Sequence, residues 1–375
     1  MKVLFFSHQA EFVYGGEVVT LAYMKELRKA GVDVFFASPV GPYQERAKKF
    51  VPTFTVTSRQ FSRRWSLLPA LCASLWRSHR ELSKIIGEQR ITHLHVTSLK
   101  AMVYAWCLGF RLPVLWHHHD ILPIQFTNRL WLRFLAFSAR AILVPSQATG
   151  NALLAAGVSR KKIQVLNNGF CLSDWRKRKP KSQERHWSVL LLGEISHRKG
   201  TDRVLDLLRV FLDLGAKKGE VEIRIAGAAQ SDPRWAEDIQ KTIRQADLHA
   251  WVTFLGRVEN VGELMQTTDL LFVPSRQDPL PTVIIEAALS GVPVLAHPVG
   301  GIPEMVGPEK IGFLGASPEE YKKVLLGLED TAAWLVASER SYQFAAKNYN
   351  LETLTKKLRE IYLSSATHPV SLQSI

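Results

Sequence analysis

An α/β fold of two doubly wound, Rossmann-like domains is predicted by three observations. Short apolar runs alternate with amphipathic segments along nearly the whole chain, the pattern of parallel strands covered by helices on both faces. A polar, strongly charged stretch containing Pro180, DWRKRKPKSQERH, interrupts that alternation, and a strand-like run starts afresh at WSVLLLG. The 375 residues are too many for one ordinary domain and suit two of about 170 each. The expected boundaries are 1–172 for the first domain, 173–187 for a linker, 188–350 for the second domain and 351–366 for a terminal helix.

Composition narrows the function classes. Hydrophobic residues at 46% with charged residues at 22% describe a globular chain and not a disordered one. No apolar run approaches the ~20 residues that cross a bilayer. MKVLFFSHQAEF carries one brief apolar burst and no cleavage-like site, so it reads as a first strand, and a cytoplasmic protein is expected. Cys72, Cys107 and Cys171 are widely spaced and give no metal signature. The net charge of +14 is unevenly placed: residues 1–175 hold 22 Lys and Arg against 9 Asp and Glu, and the remainder 26 against 25. So basic a half implies an anionic partner: a membrane surface, a phosphate-bearing acceptor or nucleic acid. No aromatic-basic nucleic-acid module is present, which puts nucleic acid last.

Taken in order, KVLFFSH reads as a buried strand, and Gly15–Gly16 as a turn into an amphipathic helix that stops before Gly31. Glycines at a strand-to-helix turn let backbone approach a ligand, although a plain tight turn explains them as well. VDVFFASP is the second strand. Residues 59–86 mix Arg63, Arg64, Arg77 and Arg80 with Trp65 and Trp76 around an apolar stretch broken by Pro69. That mixture suits the headgroup layer of an anionic membrane on the inner face of the cell; an ordinary helix with a core face is the alternative. ITHLHVTS and LPVLWHHHD are further strands. Successive strand side chains alternate, so His117 and His119 share one side while His118 points away, and the three cannot hold one metal. ILVPS and IQVLNNGF complete the first domain.

In the second domain, WSVLLLGEISHRKGTDRVL places Arg198 and Lys199 before Gly200 at a helix entrance, an arrangement that holds anions. VEIRIAG, WVTFLGRV, DLLFVPS and VPVLAHP continue the strands. The densest stretch is 269–291: a strand ending in Pro-Ser, a turn kept out of helical geometry by Pro279 and Pro281, and the helix TVIIEAAL with uncommitted first-turn amides. Asp278 and Glu286 flank that start. At ~1.5 Å per helical residue they lie ~10 Å apart, too far for a shared metal or an acid–base pair. Such a pair suits two ends of one long ligand, and a nucleotide-sugar has that shape; a strand-turn-helix with two incidental acids is the plainer reading.

The block PSRQDPLPTVIIEAALSGVPVLAHPVGGIPEMV resembles the signature of the retaining GT-B glycosyltransferases of the family-four type, marked by Glu-x7-Glu. The resemblance implies roles position by position. Glu286 would bind the ribose hydroxyls, Asp278 the donor-sugar hydroxyls, and the backbone at Leu280, Thr282 and Val283 the distal phosphate. Here Asp278 replaces the commoner Glu and Leu280 a frequent Phe. Lys199 matches the diphosphate lysine, whereas Glu194 stands where Arg is usual, and Arg198 is its substitute. Gly256 and Arg257 would lodge the base, Gly15 and Gly16 would face the diphosphate across an interdomain cleft, and His119, followed by Asp120, would lie near donor and acceptor. Asn167 replaces a usual Pro, Glu304 fits a helix cap as well as a ligand, and the last helix would cross back to the first domain. The implied activity is transfer of a hexosyl group from a UDP- or GDP-linked sugar to a glycan or lipid-linked hydroxyl with retention. Envelope polysaccharide or lipopolysaccharide is the expected product by analogy, with no cofactor and no essential metal. The alternatives are a non-catalytic GT-B protein that binds nucleotide-sugar or glycan, and an epimerase or phosphorylase on this fold; nothing resembles the phosphorylase pyridoxal block.

Overall fold

The structure is a computed structural model that describes residues 1–11, 15–58, 68–106, 108, 111–121, 126–175 and 186–366. Its contacts divide the chain into two units, Met1–Phe170 with Leu351–Ile375, and Cys171–Asn350. Each is a parallel sheet with helices, the architecture expected for a Rossmann-like domain.

The first unit holds strands β1 (Lys2–Phe6), β2 (Asp33–Ser38), β3 (Thr53–Thr55), β4 (His93–Val96), β5 (Val114–His117), β6 (Ala141–Val144) and β7 (Ile163–Val165) in the order β3-β2-β1-β4-β5-β6-β7. Between them run α1 (Gly15–Lys29), α2 (Pro42–Lys48), α3 (Leu68–Gln89), α4 (Leu99–Ala105), α5 (Phe126–Ser138) and α6 (Gln147–Ala155). Strands β4, β5 and β6 are buried throughout, as strands with helices on both faces must be. Leu4, Phe6, Leu94, Val96, Trp116 and Ile142 anchor one core cluster.

The second unit holds β8 (Trp187–Leu192), β9 (Val221–Ala226), β10 (Val252–Gly256), β11 (Leu270–Val273), β12 (Val294–Ala296) and β13 (Phe313–Leu314) in the order β10-β9-β8-β11-β12-β13. Its helices are α7 (Val204–Asp213), α8 (Pro233–Gln245), α9 (Val261–Gln266), α10 (Thr282–Leu289), α11 (Ile302–Met305), α12 (Pro318–Gly327) and α13 (Thr331–Asn348). A final helix, α14 (Leu351–Ala366), belongs to the first unit and packs on α1. In each sheet the strand order reverses once, between β1 and β4 and between β8 and β11. Such reversals open a crevice at the carboxyl ends of the strands, where ligands of doubly wound sheets bind.

Two local expectations need adjustment. Pro69 lies in the first turn of α3, where its missing N–H has no helical partner to lose, so among the described residues the apolar stretch from Leu68 onward is one helix. The histidine run is only partly strand, because β5 ends at His117 and His118 continues with one amide bond to the Leu143 carbonyl. Residues 59–67, with Arg63, Arg64 and Trp65, and most of the charged linker, 176–185, lie outside the described residues. No helix among the described residues is long and apolar enough to cross a membrane.

Candidate active site

The reversal between β8 and β11 brings two loops together, and both carry residues singled out in the sequence. After β8 the chain runs through Gly193 and Glu194 into a 3-10 turn, His197–Lys199, whose start is capped by Ser196. After β11 it runs through Ser275 and Asp278 to Pro281, which precedes α10 and offers its first turn no side-chain cap. Lys199 Nζ meets Asp278 Oδ2 at 2.6 Å, and Ser275 donates to the same oxygen at 3.3 Å. The Asp278 side chain is only 5% exposed, and Lys199 is the cation paired with it there. A small cavity of about 20 Å³ between the loops is lined by Gly193, Glu194, Lys199, Ser275 and Val283.

Gly200 makes this approach possible. Its φ is +69°, and a Cβ there would stand 2.0 Å from the Pro274 carbonyl oxygen. Gly200→Ala is therefore expected to cost more than about 1 kcal/mol from left-handed backbone alone, with the clash added. A lower melting temperature than wild type is the measurement; an unchanged one would mean that the two loops do not need to approach so closely.

Further bonds hold the loops in register. Arg276 pairs with Asp202 through its two terminal guanidinium nitrogens, at 2.7 and 2.6 Å, and donates to the His197 carbonyl. The Arg276 amide donates to the Arg198 carbonyl. Arg203 donates to the Pro274 carbonyl at 2.8 Å and to His297 Nδ1 at 2.7 Å. His297 therefore carries its proton on Nε2 and donates it to the Tyr321 hydroxyl. Burial first, and the Arg203 charge second, lower the His297 pKa to about 4, so the ring is neutral near pH 7. Gly300 lies against the Asp278 backbone, where a Cβ would be 1.9 Å from its carbonyl oxygen, and the Gly301 amide donates to that oxygen. Sequence reasoning missed Arg203, Arg276, His297 and Gly300. Only the Gly-Gly pair at 300–301 carried a visible signal, since ion pairs between distant turns have none.

The remaining residues fall as follows. Glu194 accepts from the Ser231 amide at 2.9 Å and from Arg198 at 3.5 Å, and Arg198 also donates to the Gln277 carbonyl at 3.3 Å. Leu280 is buried, while Thr282, Val283 and Glu286 in α10 are half-buried. Burial raises the Glu286 pKa to about 7, opposed by a hydrogen bond with Thr282. Gly256 and Arg257 are exposed at the end of edge strand β10. A larger cavity of about 620 Å³ opens at the amino ends of the central strands, by Trp187 of β8, Val221 of β9 and Asp269 before β11, and none of the anticipated residues lines it.

Gly15, Gly16 and His119 belong to the first unit. Gly15 and Gly16 begin α1, and a Cβ on Gly16 would meet nothing within 4 Å, so packing among the described residues does not demand glycine there. The His119 ring lies 4.1 Å from that of His117, while His118 packs on Trp116, so the side chains keep alternating past the end of β5. Burial lowers the His119 pKa to about 4 against the opposing Asp120 charge, leaving a neutral imidazole. Behind it, the Tyr362 hydroxyl lies 2.6 Å from His95 Nδ1, and His95 Nε2 lies 3.3 Å from His117 Nδ1. Burial raises the Tyr362 pKa well above its ordinary value, so its hydroxyl stays protonated. Asn167, in place of the family's proline, donates to the Pro145 carbonyl at 2.9 Å.

Two domain families match the chain between residues 13 and 332: Glycosyltransferase Family 4 over 13–174 and Glycosyl transferases group 1 over 174–332. The chain therefore carries a Glycosyltransferase Family 4 domain followed by a Glycosyl transferases group 1 domain. It is 26% identical over 302 residues to the sulfoquinovosyl transferase SQD2 of Arabidopsis thaliana, covering 73% of this chain and 56% of that protein. It thus spans little more than half the length of that relative. It is 24% identical over 247 residues to the lipopolysaccharide core biosynthesis mannosyltransferase LpsB of Rhizobium meliloti, 62% of this chain and 68% of that protein. The fold is similar to the Anabaena Alr3699/HepE structure in complex with UDP and glucose, with a TM-score of 0.79 and 22% identity over 97% of this chain and 100% of that one. That likeness establishes a GT-B fold.

Proposed function

We propose that the protein transfers a sugar from a nucleotide-diphospho-sugar to an acceptor hydroxyl, with retention at the anomeric carbon. The observation that carries this reading is the Lys199–Asp278 pair beside the uncapped first turn of α10, at the strand-order reversal of the second sheet. A cation and free amides are held where a leaving diphosphate needs them, next to a carboxylate that accepts hydroxyls. When donor enters, Lys199 turns from Asp278 to phosphate, and Asp278 takes sugar hydroxyls in its place. Arg198 adds a second charge, and Glu286 accepts from the ribose. Gly15 and Gly16 contribute backbone to the diphosphate, and His119, neutral, orients donor and acceptor without acting as the base. Gly256 and Arg257 receive the nucleotide base.

Because Lys199 and Arg198 supply the positive charge, the reaction is expected to run without a divalent metal, and EDTA should leave its rate unchanged. The complex of the Anabaena protein with UDP favours a uridine donor, and the mannosyltransferase relative favours an envelope glycan or lipid-linked acceptor. Glu194 argued for a degenerate, non-catalytic site, but its carboxylate is engaged by Arg198 of its own loop and by the Ser231 amide of the loop after β9, which favours the catalytic reading. Incubation with UDP- and GDP-sugars and an envelope lipid extract tests this. A new glycoside with the donor's anomeric configuration, read by NMR coupling, supports it; an inverted product overturns retention, and a freed sugar epimer overturns transfer.

The Glu286 carboxyl gives the site a pH dependence. Hydroxyl donors favour its charged form, so donor binding pulls its pKa down from about 7 and releases a proton. Nucleotide affinity should therefore fall as pH drops below about 7 and level off above it. Calorimetric titration across that range checks the slope, and Glu286→Gln should flatten it.

A further inference from the structure

The exposed side of α5 gathers four large apolar side chains that face solvent. Leu130, Trp131, Phe134 and Phe137 are 51%, 59%, 47% and 61% exposed. Leu130, Phe134 and Phe137 recur at helical spacing and form one stripe, with Trp131 beside it. The opposite side of the helix, Leu132, Leu135 and Ala136, is already buried in the core, so the outer stripe is surplus to folding. The stripe is also held rigid. Trp106 stacks on Phe134 at 4.4 Å and donates from Nε1 to the Phe134 carbonyl, and Trp131 meets Phe134 edge-on at 5.9 Å. A cluster of exposed aromatics of this kind marks a contact surface in a water-exposed protein.

The charge around the stripe selects its occupant. Residues 121–173 contain Arg129, Arg133, Arg140, Arg160, Lys161 and Lys162 and not one Asp or Glu. Lys162 reaches the carbonyl ends of α5, donating to Ala136 and Phe137 at 2.8 Å, and its ammonium stands 5.8 Å from the Phe137 ring centre. A second copy of the chain would bring the same positive field against itself, whereas an anionic bilayer would be attracted by it. We propose that α5 lays Leu130, Trp131, Phe134 and Phe137 into the headgroup layer of an anionic phospholipid membrane, with these cations on the lipid phosphates. This places membrane contact on a helix other than α3, where Trp76 is exposed but Arg80 covers its ring at 5.6 Å. It deepens the acceptor side of the reading above, on which it rests only for the lipid-linked nature of the acceptor.

The test is co-sedimentation with vesicles of phosphatidylcholine containing phosphatidylglycerol, against phosphatidylcholine alone. Wild type should bind the anionic vesicles at least tenfold more tightly and lose that preference in high salt. The triple variant Leu130→Ser, Trp131→Ser, Phe137→Ser changes only exposed positions and should lose at least tenfold in binding. The charge-reversed Arg160→Glu, Lys161→Glu should do the same. Equal binding by these variants and wild type, or no binding by wild type, overturns the proposal. So does concentration-dependent dimerisation in the ultracentrifuge that the triple variant abolishes, which would assign the stripe to a second copy. The UDP-induced rise in melting temperature is read on the same samples and should persist in both variants. Its absence from wild type would strike the transferase reading and leave the vesicle result standing.

Discussion

Lys199→Ala is expected to lower kcat by about 10²–10³, the range seen when one preorganised donor to a developing negative charge is removed. The same change should destabilise the protein, because it leaves Asp278, 5% exposed, without its cation. Breaking a buried pair from one side costs about 3 kcal/mol or more. The two effects separate in the double variant Lys199→Ala, Asp278→Ala, in which no buried charge is stranded. Its melting temperature should recover most of the loss, while kcat stays at or below that of the single variant. Restored activity in the double variant would make Lys199 a structural counter-ion and nothing more.

Glu286→Ala should separate binding from stability in the opposite sense. Two hydrogen bonds from ribose hydroxyls to a carboxylate contribute about 1.5 kcal/mol or more each, so nucleotide affinity should fall about a hundredfold or more. Stability should move the other way at pH 8. Burial holds the folded carboxyl at about 7, above its ordinary 4.5. The unfolded chain therefore ionises first as pH rises, and the folded state accumulates a penalty between those two values that persists above the higher one. Alanine removes that penalty and is the best helix former. A thermal scan at pH 8 should show Glu286→Ala at or above wild type, and a large drop would mean that the carboxylate is held by protein partners and not kept for a ligand.

Much of this arrangement was legible in the chain because it is local. The turn with Pro279 and Pro281 and the start of α10 at Thr282 follow from residue types at short spacing, as do the anion-binding shape of Arg198-Lys199-Gly200 and the alternation that separates His118 from His117 and His119. The short edge strands β3 and β13 escaped, since three and two residues are too few to show a period. The ion pair between Lys199 and Asp278 joins residues 79 positions apart, and the contact of Arg203 with His297 spans 94; no pattern in the sequence encodes either. The apolar stripe of α5 was also hidden. Sequence periodicity shows that a helix has apolar residues on most sides, and only packing reveals which of them the core leaves outside.

The central claim is that the loops after β8 and β11 form a nucleotide-sugar site, and a thermal-shift comparison of wild type and Glu286→Ala with UDP, GDP and ADP tests it most directly. At about a hundred times the dissociation constant a ligand should stabilise by roughly 2.7 kcal/mol, which is readily resolved. The account predicts that one nucleotide, UDP first, raises the midpoint of wild type and leaves Glu286→Ala unmoved. Equal shifts in both proteins would place the nucleotide elsewhere, and no shift in wild type with any of the three would contradict the site itself.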